Sequence, residues 1–234
     1  MNEQGFVITE ENGILTLTMQ AEGNNLMNAS FFEGYESAMA EIEKRANDNS
    51  VRGLIICGGG RHFSVGADVE ALSERSSSEL PELRETGKIP QGHYRQKHFF
   101  TFLYGLPFPV VSVVTGFCIG SGSEIAVNSH FRIVEKNARI GQPESTFGIL
   151  PALGGIARSI THSGMQNAFD IVVSGELFSS DKAEEIFWAN EVVGKKAGIS
   201  RAIRLIDFIS ELDEEYSSSK AAYYYRRFLE SEVV

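Results

Sequence analysis

Two glutamates stand out by their settings. Glu124 follows "IGSGS" and opens the apolar run Ile125, Ala126, Val127, while Glu144 follows Pro143 in "GQPES". Each comes behind a glycine turn that closes a strand-like stretch, in an otherwise apolar neighbourhood. Two carboxyls facing one pocket split their proton affinities, so that one acts as base while the other acts as acid. Such a pair can position and activate one water molecule. Taken singly, each residue has an ordinary explanation: the helix dipole favours a glutamate in a first turn, and an acid after a proline can simply be solvated.

The glycine turns offer a second chemistry. Backbone N–H groups at the start of a helix point at whatever lies in front of it, and glycines let a ligand approach the main chain closely. "GSGSE" and "FSVGAD" both present such donors. Two turns whose amides converge form an oxyanion hole, able to stabilise charge developing on a carbonyl oxygen. The permissive glycine backbone explains either turn equally well by itself. Other chemistries lack their motifs: there is no G-x-x-x-x-G-K-[ST], no H-E-x-x-H and no G-x-S-x-G. "GFCIGSGSEIA" lacks the third glycine of a dinucleotide fingerprint and carries an acid where pyrophosphate would lie. His62, His93, His98, His130 and His162 show no metal-ligand spacing. No metal is expected, and the histidines are expected at the surface or behind the site.

Positioning these groups requires a set of strands and helices. "FVITEENGILTLTMQ" reads as a β-hairpin about Asn12-Gly13. Asn28 or Ser30 can cap a helix on which Phe31, Phe32, Tyr35, Met39 and Ile42 recur at three- and four-residue intervals. "VRGLIIC" (51–57) and "PFPVVSVVT" (107–115) are short β-branched runs, the mark of strands covered on both faces. Each leads through a glycine turn towards a helix. A third unit, "HFRIVEKNARIGQPES", precedes the helical stretch "ARSITHSGMQNAFDIVV". Repeated strand, turn and helix predict an α/β domain with its active-site turns at one end of the sheet. Residues 74–98 are polar and broken by Pro81, Gly87, Pro90 and Gly92, which suits an excursion over the surface. From about Ser200 the chain turns helical, ending in the tyrosine cluster of "KAAYYYRRFLE".

The 234 residues suit one large domain or two small ones, and a hydrophobic fraction of 42% suits a globular core. Lys and Arg number 21 against 31 for Asp and Glu, a formal charge of −10. That is the wrong sign for binding nucleic acid. No apolar run reaches the length needed to span a bilayer, and "MNEQGFVITEENG" lacks a basic region followed by an apolar stretch. No membrane partner is expected. Cys57 and Cys118 lie in apolar sequence without paired spacing, as buried reduced thiols of a cytoplasmic protein would.

Taken jointly, the motifs resemble the crotonase family, the enoyl-CoA hydratase/isomerase superfamily. "NNLMNASFF" resembles its N-A-L-N segment and "HFSVGAD" its F-S-A-G-A-D turn. "PFPVVSVVTGFCIGSGSEIA" resembles its K-P-V-I-A-A-V-x-G-x-x-x-G-G-G-x-E-L-A block, and "ARIGQPESTFGILPALGG" its F-x-x-P-E-x-x-x-G-x-x-P-x-x-G-G segment. "VSGELFSSDKAEEIFWANEVV" is similar to the family's T-G-x-x-x-x-A-x-x-A-x-x-x-G-L-V-x-x-V.

The resemblance implies a crotonase-like ββα spiral over residues 1–195 and a helical C-terminal oligomerisation region over 196–234. It implies a homotrimer or homohexamer whose ligand is an acyl-CoA thioester, with coenzyme A as part of the substrate and no separate cofactor. Carried over residue by residue, the oxyanion-hole amides fall on Val65 and Ser121, and the hydratase glutamates on Glu124 and Glu144. Backbone contacts to CoA fall on Ala67, Asp68 and Val69. The activity so implied is enoyl-CoA hydration, the reversible syn addition of water. Enoyl-CoA isomerisation, thioester hydrolysis, ring-opening C–C hydrolysis and a non-catalytic CoA-binding or scaffold role are the alternatives. Ser121 replaces the central glycine of the family's triple-glycine turn, which keeps the backbone donor and adds a hydroxyl. "AEGNNLMN" lacks the basic residue often found before N-A-L-N. The long 74–98 excursion, with His93, Tyr94 and Arg95, points to a bulky or polar acyl group.

Overall fold

One tight turn starts the fold. In the computed structural model, which describes residues 2–3, 5–46, 50–69, 85, 97–212 and 220–221, β2 (Phe6–Glu11) and β3 (Ile14–Met19) form the hairpin read at Asn12-Gly13. Both turn residues have positive φ, 52° and 77°, as two-residue hairpin turns require. β1 (Asn2–Glu3) pairs antiparallel with β2. Beyond β3 the sheet is parallel. Short leucine-, isoleucine- and valine-rich runs supply β5 (Gly53–Gly58), β7 (Val110–Val114), β9 (Phe131–Glu135) and β12 (Glu191–Val193), in the order β1-β2-β3-β5-β7-β9-β12.

The sequence reads as strand, turn, helix, but the structure adds a short strand after each long one. These are β4 (Leu26–Met27), β6 (Gly66–Ala67), β8 (Phe117–Ile119) and β10 (Arg139–Gly141). β4 pairs with β6 and β8 with β10, both in parallel, while β11 (Phe178–Ser179) closes on β10 antiparallel. A single bridge between Ser64 and Cys118 joins the β6 segment to β8. The short strands therefore run as a second ladder beside the large sheet. Two or three residues are too few to show a period, which is why the sequence hides them.

Both faces of the large sheet are covered. On one side α1 (Ala29–Arg45) buries Phe31, Tyr35, Met39 and Ile42 against Phe6, Leu15 and Leu17. Phe32, placed on the same apolar face by its spacing, is only partly buried. On the other side α4 (Gly198–Ser210) lays Ala202, Leu205, Ile206 and Ile209 on Ile55, Val111, Val113 and Ile133. Gly53 is needed there, because a Cβ would sit 2.7 Å from the Ile206 side chain. Cys57 and Cys118 are buried and unpaired. Among the described residues no helix is long and apolar enough to cross a membrane. His93, Tyr94, Arg95 and the tyrosine-rich tail lie outside the described residues, and so does most of the C-terminal region expected beyond α4.

Asn28, not Ser30, caps α1: its side chain accepts from the Phe31 N–H at 3.0 Å. Asn28→Ala is expected to lower the unfolding free energy by about 1 kcal/mol. Chemical denaturation checks this, and an unchanged midpoint would show that the cap carries no stability.

Candidate active site

The second ladder ends in two turns that back onto each other. At the first, buried Ser64 is held at every polar group. Its N–H donates to the Phe117 carbonyl (3.0 Å), and its carbonyl accepts from Ile119 N (3.1 Å). Its hydroxyl donates to the Asn25 carbonyl (2.7 Å) and accepts from Gly66 N (3.0 Å). Gly66 has φ 88°, and a Cβ there would stand 2.6 Å from the Ile119 carbonyl oxygen. Val65 sits between these two fixed residues, and among the described residues nothing accepts its N–H.

Ser121 opens α2 (Ser121–Val127) after Gly120, whose φ of 53° and ψ of −126° are glycine conformations. The Gly120 N–H donates to the Gly141 carbonyl at 2.9 Å. The first N–H groups of a helix have no intrahelical acceptor, so the Ser121 amide is free to face a ligand. A Cβ on Gly122 would lie 2.7 Å from the Ser64 Cβ. The two turns are thus packed backbone to backbone.

Glu124 stands in the first turn of α2 and is 2% exposed. Its Oε1 accepts from Leu153 N (2.7 Å) and Gly155 N (3.0 Å), the amides that lead into α3 (Gly155–Ser174). Burial pushes its proton affinity up to about 8, and the Glu144 charge adds to the rise, against the lowering by those two amides. Glu144 lies on the 3-10 turn Pro143–Phe147 that follows β10. A Cβ on Gly120 would lie 3.3 Å from Glu144 Oε1, and Glu144 Oε2 is buried with no hydrogen-bond partner among the described residues. Burial raises this carboxyl to about 7. Neither acid is the solvated surface residue that its local sequence also allowed. Each has an affinity near neutrality, as acid and base work requires.

Of the residues expected to touch CoA, Ala67 and Asp68 are partly buried and Val69 is 41% exposed. The Asp68 N–H donates to the Met27 carbonyl at 3.4 Å. A cleft of about 440 Å³ opens beside the Val65 turn, lined by residues 19–21, 24–25 and 59–62, with Arg61 as its positive group. Sequence reasoning passed over Arg61, because the basic residue was sought before the N-A-L-N-like segment. It also passed over Gln142, which is fully buried and whose two amide atoms find no hydrogen-bond partner among the described residues. Its Nε2 would lie 2.6 Å from a Cβ on Gly155, beside Glu124 Oε1. No local pattern marks such a residue.

His130 and His162 are packed behind α2. His130 Nδ1 accepts from Val110 N (3.1 Å), so its Nε2 donates to the Tyr104 carbonyl (2.9 Å). His162 Nε2 lies 2.9 Å from the Val127 carbonyl. Burial, and behind it the charge of Arg132, push these rings down to about 4 and about 3. Both are therefore neutral. Among the described residues no group of His, Cys, Asp and Glu could hold a metal ion.

The family model for enoyl-CoA hydratase/isomerase matches residues 9–223. The chain belongs to the enoyl-CoA hydratase/isomerase family. The 2,3-dehydroadipyl-CoA hydratase of Escherichia coli K12 is 30% identical over 193 residues, covering 82% of this chain and 69% of the relative. The short-chain-enoyl-CoA hydratase of Clostridium acetobutylicum is 30% identical over 195 residues, covering 82% and 70%. The chain also matches 27% of the length of the fatty acid oxidation complex subunit alpha of Shewanella amazonensis, at 30% identity. In fold it is similar to an enoyl-CoA hydratase/isomerase from Xanthobacter autotrophicus Py2, with a TM-score of 0.76, 20% identity and coverage of 99% of this chain and 82% of that one. Pseudomonas aeruginosa DspI gives a TM-score of 0.78 at 20% identity, covering 91% and 78%.

A buried carboxyl with a raised proton affinity costs stability as pH rises. Between the ordinary 4.5 and about 8, folded Glu124 holds a proton that the unfolded chain has lost. Stability therefore falls through that window, by up to about 1.4 kcal/mol per pH unit. Glu124→Gln, which has no charge to bury, is expected to melt progressively higher than the parent as pH rises from 5 to 8. A constant difference in melting temperature would show that Glu124 is ionised throughout.

Proposed function

We propose that this family member is an enoyl-CoA hydratase, adding water reversibly and syn across the double bond of a 2-enoyl-CoA thioester. The observation that supports this most directly is the pair of carboxyls, buried Glu124 and part-buried Glu144, set against the turn that carries Ser121. In the proposed reaction both acids hold one water. Its oxygen attacks the β-carbon while Glu124 takes a proton from it. The double-bond electrons move onto the thioester oxygen, where the Val65 and Ser121 amides stabilise the enolate-like charge. Glu144 then delivers a proton to the α-carbon, which completes the addition of one H2O. Losing one such donor costs about 3 to 4 kcal/mol of transition-state stabilisation. The thioester's CoA portion runs past the backbone of Ala67, Asp68 and Val69, with its phosphates towards Arg61 in the neighbouring cleft. No separate cofactor takes part. A homotrimer or homohexamer is part of the same reading, supported by the exposed stripe of Met165, Phe169 and Val173 on α3.

Hydration by these roles needs Glu124 ionised and Glu144 protonated, the less populated placement of the one proton that the pair shares near neutral pH. The affinities of about 7 and about 8 belong to the pair. The activity profile is expected to be a narrow bell, falling below about pH 7 as both carboxyls protonate and above about pH 8 as both ionise. Activity that rises on one limb alone would contradict the shared proton.

The test is incubation with crotonyl-CoA and longer, cyclic and carboxylated enoyl-CoAs, following loss of the conjugated absorbance and the product mass. The names of the Escherichia and Clostridium relatives make the carboxylated and short-chain members the first to try. A gain of one water that disappears in Glu124→Gln and in Glu144→Gln is expected. A shifted double bond without water, or release of free CoA thiol, would assign the site to isomerisation or hydrolysis instead.

A further inference from the structure

Asn128 closes α2 one helical turn after Glu124 and is fully buried. Its Nδ2 donates to the carbonyl of Glu124 (2.8 Å) and to the carbonyl of Leu153 (3.0 Å), and its Oδ1 accepts from Arg158 Nε (3.4 Å). Gly154, with φ 106°, packs directly on the amide: a Cβ there would lie 2.9 Å from both Nδ2 and Oδ1. On either side of Gly154 are the Leu153 and Gly155 amides that hold Glu124 Oε1. Residue 153 is thus gripped twice, by its carbonyl to Asn128 and by its N–H to Glu124. Arg158 is fixed in turn, its guanidinium 3.7 Å from the centre of the Tyr104 ring.

We propose that Asn128 is a positioning residue for Glu124: it locks the 153–155 turn onto α2, and the locked turn aims the carboxyl and supplies the two donors that hold it. The inference rests on the hydratase reading for its effect on turnover, but its effect on Glu124 stands separately. An apolar side chain at 128 fills the space and loses the grip. The turn loosens, the two N–H bonds that favour the ionised carboxyl weaken, and Glu124 holds its proton more tightly. Arg158 loses its Asn128 partner but stays held over the Tyr104 ring, and the other charged or titratable groups around Glu124 make no bond to the Asn128 side chain. Glu144 faces it from the 3-10 turn, Arg158 and His162 come from α3, His130 immediately precedes β9 and Arg132 lies on it, with both histidines neutral.

The experiment labels glutamate δ-carbons with 13C and titrates the carboxyl signals of the parent, Asn128→Leu and Asn128→Ser, with Glu124→Gln to assign the resonance. The expected result is a Glu124 midpoint raised by about one pH unit. Hydration of the best enoyl-CoA is expected to fall about tenfold or more in kcat, with KM within about twofold. Should Asn128→Leu fail to fold, Asn128→Ser carries the same comparison. A lowered melting temperature with an unmoved Glu124 titration and unchanged kcat would overturn the proposal. A moved titration in a protein that hydrates no enoyl-CoA would uphold the positioning of Glu124 and sink only the hydratase reading.

Discussion

Everything at the site depends on the pairing of the short strands. β8 and β10 run in parallel with Cys118 opposite Ile140 and Ile119 opposite Gly141, and Ser64 bridges to Cys118 on the other side. The residues just past those pairs are Val65, Ser121 and Glu144. A slip of one residue in any of the three segments would carry an amide or a carboxyl out of the site, because strand neighbours point to opposite faces. The chain prevents slippage with contacts that tolerate no side chain, at Gly66 against Ile119 and at Gly122 against Ser64. The hydroxyl of Ser64 then ties the same turn to Asn25, whose own Nδ2 reaches the Phe63 carbonyl at 2.9 Å.

Burial works on the carboxyls in the opposite sense from the backbone. Taking Glu124 and Glu144 out of water disfavours their charged forms, and setting them side by side disfavours them further. Two amides oppose this at Glu124. The balance leaves a pair that holds a proton near neutral pH, in surroundings where few solvent dipoles compete with the oriented N–H groups. Behind α2, three side chains turn to backbone carbonyls. Arg132 spends its guanidinium on the carbonyls of Trp188 and Ser129, and His130 and His162 are neutral donors to Tyr104 and Val127.

Much of this was legible in residue types. The Asn12-Gly13 hairpin, the amphipathic helix beginning near Asn28 and the doubly covered strands about 53–58 and 110–114 follow from spacing alone. The two glutamates were recognisable because each follows a glycine turn in an otherwise apolar neighbourhood. What spacing could not reveal was the second ladder, since strands such as Gly66–Ala67 have no period to read. Asn128 and Gln142 were hidden for a different reason. Their significance lies in partners far along the chain, or in the lack of one, and neither leaves a trace in neighbouring residues. The histidines expected at the surface or behind the site divide accordingly: His98 is exposed, whereas His130 is enclosed by partners that only the tertiary fold supplies.

The proposed hydration requires the Val65 and Ser121 amides to meet at one oxygen atom. The most direct measurement is the infrared spectrum of a saturated acyl-CoA, 13C-labelled at the thioester carbonyl, bound to the protein. Two strong donors on that oxygen weaken the C=O bond, so the account expects the carbonyl band to move to lower frequency on binding. A bound thioester whose carbonyl absorbs where it does in water would show that the two turns do not form an oxyanion hole.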